Sequence, residues 1–454
     1  MNNYKDSQIS ILIDENCHSK EYKFNKLIDF VDARFSNFKV NPYQSAEISE
    51  NKNLKFLKNI SEIKNCDWII FENKDFDYSK YKNIAANGIL SFKLTKNRIK
   101  ETVLKNQKSK LKIEFLDKKT NDWLLFLQEL DPEKGLKNNI SKVLLNYNIY
   151  LLQFLRNYPE VPISELLNTL KAKKYYAETL IYYFDLVRRL INRKFENRRL
   201  NWKIALKQNN EHTFIKQPEN SFWADPFIIN ENNTNYLFFE ELKPDRIGAI
   251  SFVELDDNFD IVNKKMIINQ EFHLSFPNVF KIDNSFYMIP ESSANNSLDL
   301  YKCYNFPDDW RHEKILMANI SLIDPVILFH NNLYWIFANK IEEFEHDNNE
   351  RLYLYYSDDL FSEKWHTHQQ NPVVNDASLA RNAGKIFLKD NKLFRVSQNC
   401  SKSYGQNLVV NKITTLSTTN YKEQKSYEIF AENKFKGMHT MNFESDIQVF
   451  DFLE

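Results

Sequence analysis

The sequence predicts a multidomain α/β plus all-β chain: an N-terminal α/β domain (residues 1–138), a helical connector (139–200) and a C-terminal five-bladed β-propeller (201–454). Three observations carry this prediction. Short apolar runs alternate with polar stretches of helical length in the first part. From Asn139 to about Arg199 apolar residues recur at i, i+3 and i+4. Beyond Asn201 one hairpin unit recurs at a blade-sized spacing.

In the N-terminal part, "ISILID", "CDWIIFE" and "GILSF" read as buried strands of an α/β layer. The connector carries two helical patterns, parted by the prolines of "NYPEVPIS". Its second pattern ends in a basic segment, 184–199, with Arg188, Arg189, Arg193, Lys194, Arg198 and Arg199. That segment reads either as a peripheral membrane contact or as a solvated face whose cations favour a helix C-terminus.

The propeller is read from four copies of one pattern: "ADPFIINENNTNYLFFEE", "FPNVFKIDNSFYMIPES", "IDPVILFHNNLYWIFAN" and "NAGKIFLKDNKLFRVSQ". Each is a strand, a tight Asn/Asp turn and an aromatic strand, hence a hairpin. Anchored at Asp225, Pro277, Asp324 and Gly384, the copies are 52, 47 and 60 residues apart. Third strands follow as "AISFVELDD", "LDLYKCYNF", "RLYLYYSDD" and "NLVVNKITTL". A fifth hairpin, "GMHTMNFESDIQVFDF", lacks outer strands, and the isolated early strand "NWKIALKQ" is expected to complete it and remove the exposed edges.

Composition narrows the function classes. Lys and Arg number 61 and Asp and Glu 61, so no global field draws in nucleic acid or an anionic membrane. The cysteines, Cys17, Cys66, Cys303 and Cys400, form no CxxC pair, which fits neither zinc knuckle nor disulfide framework and suggests a reducing cytoplasm. No export signal or membrane span is read, and no glycine-rich phosphate loop, so no cofactor is expected. Six glycines in 454 residues leave turns to Asn and Asp, and the remaining glycines are expected to mark places where a side chain cannot fit.

In a propeller the starts of all innermost strands converge on one funnel. Those positions carry Asp225, His273 with Ser275, Asp324, Arg381 with Asn382, and His439 with Thr440. Asp-Pro at a strand start is also an ordinary turn or cap dipeptide, but its recurrence in two blades, with His and Arg in others, favours a functional cluster. Trp223 is expected to pack the funnel wall. Glu240, Glu241 and Glu291 close second strands and are the nearby candidates for a proton donor. No ligand spacing supports a metal.

The propeller half resembles the five-bladed fold of arabinanases, levansucrases and invertases, in which an ADP motif supplies one catalytic Asp and an IDP motif a second carboxylate. More closely, "FWADPF", "HLSFPNVF", "YMIPES", "LARNAGKIF", "FRVSQNCSKSYGQNLVVNKITTL" and "GMHT" resemble the N-terminal propeller domain of glucosamine inositolphosphorylceramide transferases. The resemblance spans about Trp202 to Asp451, and Arg381, Gly384, Gln398, Cys400, Tyr404 and Gly405 form its most specific pattern. It implies Asp225 as base or nucleophile, Asp324 as a modulating carboxylate, Glu291 as a further catalytic candidate, and Trp223, Glu241, His273, Arg381, Asn382, Gln398, Tyr404 and His439 as substrate-binding residues. No Glu stands at a matching funnel position, so ordinary hydrolysis departs from the pattern. Further upstream, "NGILSFKLTKNR" is similar to the catalytic region of formyltransferase-like domains, with Lys93 where that family has His, which implies a degenerate α/β scaffold.

The expected function is that of a carbohydrate-active protein of cell-surface polysaccharide or glycolipid biosynthesis, acting on a glycan or anionic sugar by glycosyl transfer or glycosidic bond processing. The alternative is a non-catalytic glycan-binding or scaffold module.

Overall fold

The computed structural model describes residues 9–12, 54–57, 66–71, 85–92, 109–117, 123–130, Lys142, Asn146 and, apart from short gaps (209–210, 219–220, 243–246, 342–347, 402 and 433–434), residues 202–454. The chain divides into two compact units, Met1–Arg189 and Leu190–Glu454.

The second unit is a five-bladed propeller. Blade 1 is built from Trp223–Glu231, Thr234–Leu242, Gly248–Leu255 and Ile261–Ile268, running outward from the axis. Blade 2 comprises Ser275–Ile282, Ser285–Glu291, Ser297–Asn305 and Asp309–Ala318. Blade 3 starts with Leu322–His330, Leu333–Lys340 and Arg351–Ser357, and blade 4 with Arg381–Asn382, Lys392–Asn399, Asn407–Leu416 and Tyr421–Ile429.

Blade 5 closes the ring as the sequence suggests. Its hairpin, Gly437–Glu444 and Ile447–Leu453, is extended by Trp202–Gln208, which pairs antiparallel with the last strand from Leu453↔Trp202 to Gln448↔Lys207. A fourth strand, Glu211–Phe214, follows. First and last strands of the unit therefore share one sheet, which locks the ring closed.

The inner hairpins turn on left-handed residues. Asn232 and Asn233, Asp283, Asn331 and Asn332, Asp390 and Asn391, and Ser445 all have positive φ, the conformation that Asn and Asp tolerate best among residues with a Cβ. Alternation along the strands then directs large rings between blades. Phe227, Phe238, Phe252, Phe276, Trp335 and Phe337 are almost wholly buried in one continuous core. Each such ring contributes about 2–3 kcal/mol by leaving water.

The rest of the expected fold class is corrected. Apart from Lys142 and Asn146 and a single 3-10 turn at Ser293–Asn295, the described residues in regular structure are strands, with no α/β domain among them. The three expected N-terminal strands are present as Ile9–Leu12, Cys66–Phe71 and Ala85–Phe92. Ala85–Phe92 pairs parallel with Cys66–Phe71, but then antiparallel with Ser109–Asp117, which pairs antiparallel with Trp123–Leu130. The described parts of "KLKIEFLDKKTNDWLLFLQEL" are thus two antiparallel strands that extend the sheet. The helical connector lies outside the described residues except for Lys142 and Asn146, as do Lys93 and the basic segment 184–199. Among the described residues no helix is long and apolar enough to cross a membrane.

Candidate active site in the propeller funnel

A bulge interrupts the innermost strand of four blades at one equivalent place. Pairing slips at Asp225–Pro226, Phe276–Pro277, Asp324–Pro325 and His439–Thr440. The bulge inserts one residue against the partner strand and re-aims its side chain. Asp225, Phe276 and Asp324 sit there with φ of 52°, 46° and 47°. The left-handed conformation is tolerable for Asp but strained for Phe. Blade 2 therefore offers Phe276 at the position of Asp225, rather than His273 or Ser275.

Asp225 is 5% exposed and met by groups from blades 2 and 5. Its Oδ1 accepts the Thr440 hydroxyl at 2.8 Å and lies 3.2 Å from His439 Nε2, and its Oδ2 accepts the Phe276 N–H at 3.3 Å. Burial pushes the carboxyl up to about 7 against the pull of the His439 charge, with Asp324, Glu240 and Asp451 adding to the rise.

Asp324, 3% exposed, accepts Arg381 Nε at 2.7 Å and Gln398 Nε2 at 3.2 Å on Oδ2. Its backbone N–H donates to Glu291 Oε2 at 3.1 Å. Burial raises Asp324 to about 6, the Arg381 charge opposes this, and Glu291 adds to it. Glu291 also accepts the Ser293 hydroxyl at 2.7 Å.

Glu240 and Glu291 occupy the same register position on the second strands of blades 1 and 2, opposite Ala224 and Ser275. Glu240 lies 3.2 Å from His273 Nε2, whose Nδ1 accepts the Gly248 N–H at 3.0 Å. Glu240 raises the His273 imidazole above its ordinary range, against the opposing effect of burial.

The remaining expected residues divide between funnel and scaffold. Tyr404, 38% exposed, is stacked on by the Arg381 guanidinium at 4.9 Å. Gln398 is wholly buried behind Asp324 instead of on the rim. Asn382 ties blade 4 to blade 3 by donating to the carbonyls of Asp324 and Phe337. Trp223 is fully buried against Phe239, and Glu241 faces the same way as Trp223, accepting Ser251 Oγ and Lys264 Nζ, each at 2.6 Å. Neighbouring strand residues face opposite sides, so Glu240, not Glu241, points with the funnel set.

Sequence reasoning missed three contributors. Asp451 lies across the hairpin from the His439–Thr440 bulge and is wholly buried. It accepts the backbone N–H groups of Asp225, His439 and Thr440 at 3.0, 3.2 and 2.8 Å. Trp202 stacks on the His439 ring with centroids 3.9 Å apart, and Asn349 accepts Arg381 Nη1 at 2.8 Å. Only the register of the last hairpin, read with the bulge, would have found Asp451. Asp225, His439 and Asp451 also bring ligand-type atoms within 4.8 Å of one another. The imidazole stands between the carboxylates and turns opposite nitrogens to them, which suits two ion pairs rather than convergence on one ion.

The fold and funnel thus define a five-bladed propeller with a buried carboxyl cluster on its axis. The family described as "Glucosamine inositolphosphorylceramide transferase 1, N-terminal" matches residues 206–448, more than half of the chain, and the chain belongs to it. Glucosamine inositolphosphorylceramide transferase 1 of Arabidopsis thaliana is 35% identical over 209 residues, 45% of this chain and 27% of that protein. The protein of the same name from Oryza sativa subsp. japonica is 34% identical, with 45% and 28% covered. The match therefore spans little more than a quarter of these relatives. Among solved structures, a family 117 glycoside hydrolase of Zobellia galactanivorans aligns with a TM-score of 0.39 and 10% identity over 56% of this chain and 91% of that one. The α-L-arabinofuranosidase of Podospora anserina gives a TM-score of 0.38 and 10% identity over 53% and 94%.

Proposed function

We propose that the propeller is a carbohydrate-active unit that carries out acid–base chemistry on a sugar linkage bound in its funnel. The observation that supports this reading is the pair of bulge aspartates from blades 1 and 3. Both are buried, both are raised toward neutrality, and the Asp324 charge reaches Asp225 and His439. Groups poised near the working pH exchange protons most effectively.

Asp225 serves as the proton acceptor for the attacking hydroxyl, since three donors hold its carboxylate in place. Asp324, its carboxyl raised by burial, supplies a proton to the departing oxygen, with Glu291 held beside it on the Asp324 backbone N–H. Arg381 fixes Asp324 and, with Tyr404, walls the mouth. The relatives' name points to a sugar bearing either an amine or a phosphate, and the charges of the funnel favour the amine. Five carboxyls (Asp225, Glu240, Glu291, Asp324 and Asp451) stand against Arg381 and two imidazoles, and Arg381 is already engaged by Asp324 and Asn349. An ammonium sugar gains from this surplus, whereas a phosphate meets it as repulsion.

The test is calorimetric titration with glucosamine, N-acetylglucosamine and glucose 6-phosphate, followed by turnover assays on aryl glucosaminides of both anomers. Glucosamine should bind best, and Asp225→Asn should keep binding while losing at least about a hundredfold in turnover. Equal turnover by wild type and D225N would reject the acid–base role and leave a glycan-binding module. Preferential binding of glucose 6-phosphate would reject the amine assignment.

A further inference from the structure

His439 is placed unlike a residue waiting for substrate. Its side chain is 4% exposed, Nε2 is 3.2 Å from Asp225 Oδ1, and Nδ1 is 2.8 Å from Asp451 Oδ1. One face of the ring is covered by Trp202, and Tyr404 approaches edge-on at 5.4 Å. Gly405 makes this clamp possible: it has φ +61°, and a Cβ there would come within 2.9 Å of His439 Cβ and 3.1 Å of the Trp202 ring. Trp202 and Asp451 both lie outside the segment 206–448 that the family shares, and both arrive through the closure of blade 5.

We infer that Asp451 and Trp202 are positioning residues that hold His439 as an imidazolium against Asp225, making Asp451–His439–Asp225 a three-member charge relay. Nδ1 faces Asp451 at ion-pair distance, though outside hydrogen-bond alignment, and Nε2 faces Asp225, so a carboxylate at each nitrogen favours a ring that keeps both protons. The resulting positive charge keeps Asp225 ionised between turnovers, ready to accept one proton from the attacking hydroxyl and release it to water afterwards. The charged groups facing the ring are Asp225 from blade 1, Asp451 from its own blade and, further off, Asp324 from blade 3, with Arg381 behind Tyr404. Burial alone would discharge the imidazole, but the carboxylates of Asp451 and Asp225 outweigh it and raise His439 to about 9.

The inference rests on the reading of the funnel as an acid–base site, but its test reads the ring itself. In full-length protein labelled with 15N-histidine, both nitrogens of His439, assigned by His439→Gln, should carry protons at pH 7.5. Asp451→Asn should lower the proton affinity of the ring by at least roughly tenfold, and Trp202→Phe, which retains a stacking ring, should lower it less. The wild-type measurement needs no variant to fold: a neutral His439 at pH 7.5 overturns the relay. An unchanged titration in D451N, with blade 5 amide signals retained, overturns the role of Asp451. Neither result bears on sugar binding or on the D225N assay, so the wider reading stands or falls separately.

Discussion

Arg381 illustrates how a residue legible in sequence takes a different part in the fold. Its position among the funnel-start residues was readable. Its double engagement was not, because Asn349 comes from a loop without any repeat signature. With Arg381 replaced by Ala, the Asp324 carboxyl stays buried and loses its strongest partner. Destabilisation of about 3 kcal/mol is expected in urea denaturation, with Arg381→Lys falling between. A loss below about 0.5 kcal/mol would mean that the ion pair is not a buried one. The adjacent glutamates Glu240 and Glu241 show the limit of residue-scale reading. They are chemically identical and one step apart, and only the pleat assigns one to the funnel and the other to Lys264.

At the scale of the element, the repeated hairpin was legible because its turn chemistry and alternation are local. The bulge was not, since a slipped register depends on the partner strand. In blade 4 Gly384, with φ +147°, stands just past the funnel-start residues, and a Cβ on it would run into the Met441 carbonyl of blade 5. Gly384→Ala should therefore cost about 3 kcal/mol or more, visible as a fall of several degrees in the melting temperature. An unchanged melting temperature would show that the blade 4–5 seam can open without penalty. Asn at turns such as Asn331–Asn332 and Gly at seams such as Gly384 thus divide the left-handed and the crowded positions between them.

For the whole molecule, the ring gathers groups that each take up protons on folding. The folded value of His439, near 9, exceeds its ordinary 6.5, so its contribution is complete below about pH 6.5 and is lost as pH rises through 9. Asp225 and Asp324, raised to about 7 and 6, have the same sign. The folded state holds protons that the unfolded chain has released, and stability falls from about pH 4 to 7. Lys385, lowered to about 8 by burial, acts oppositely only above that pH. The melting temperature should accordingly decline between pH 6 and 8, with His439 accounting for up to about 3 kcal/mol over its full range. A profile that rises across this window in differential scanning calorimetry would contradict the buried charge arrangement.

The sequence by itself determined the hairpin repeat, its closure by the strand at Trp202–Gln208, and the two Asp-Pro motifs that mark the funnel, because strand alternation, turn residues and spacing are encoded locally. Apolar runs of strand length did not reveal that the N-terminal sheet continues antiparallel, since a short run fits either a parallel or an antiparallel neighbour. Tertiary structure alone decided which acids face one another. It placed Asp451 beneath His439 and Glu240 beside His273, and drew Arg381 onto Asp324. With the Asp225 N–H donated to Asp451, the funnel joins residues as far apart as 225 and 451, and these contacts depend on a bulge register and a ring closure that no single segment specifies.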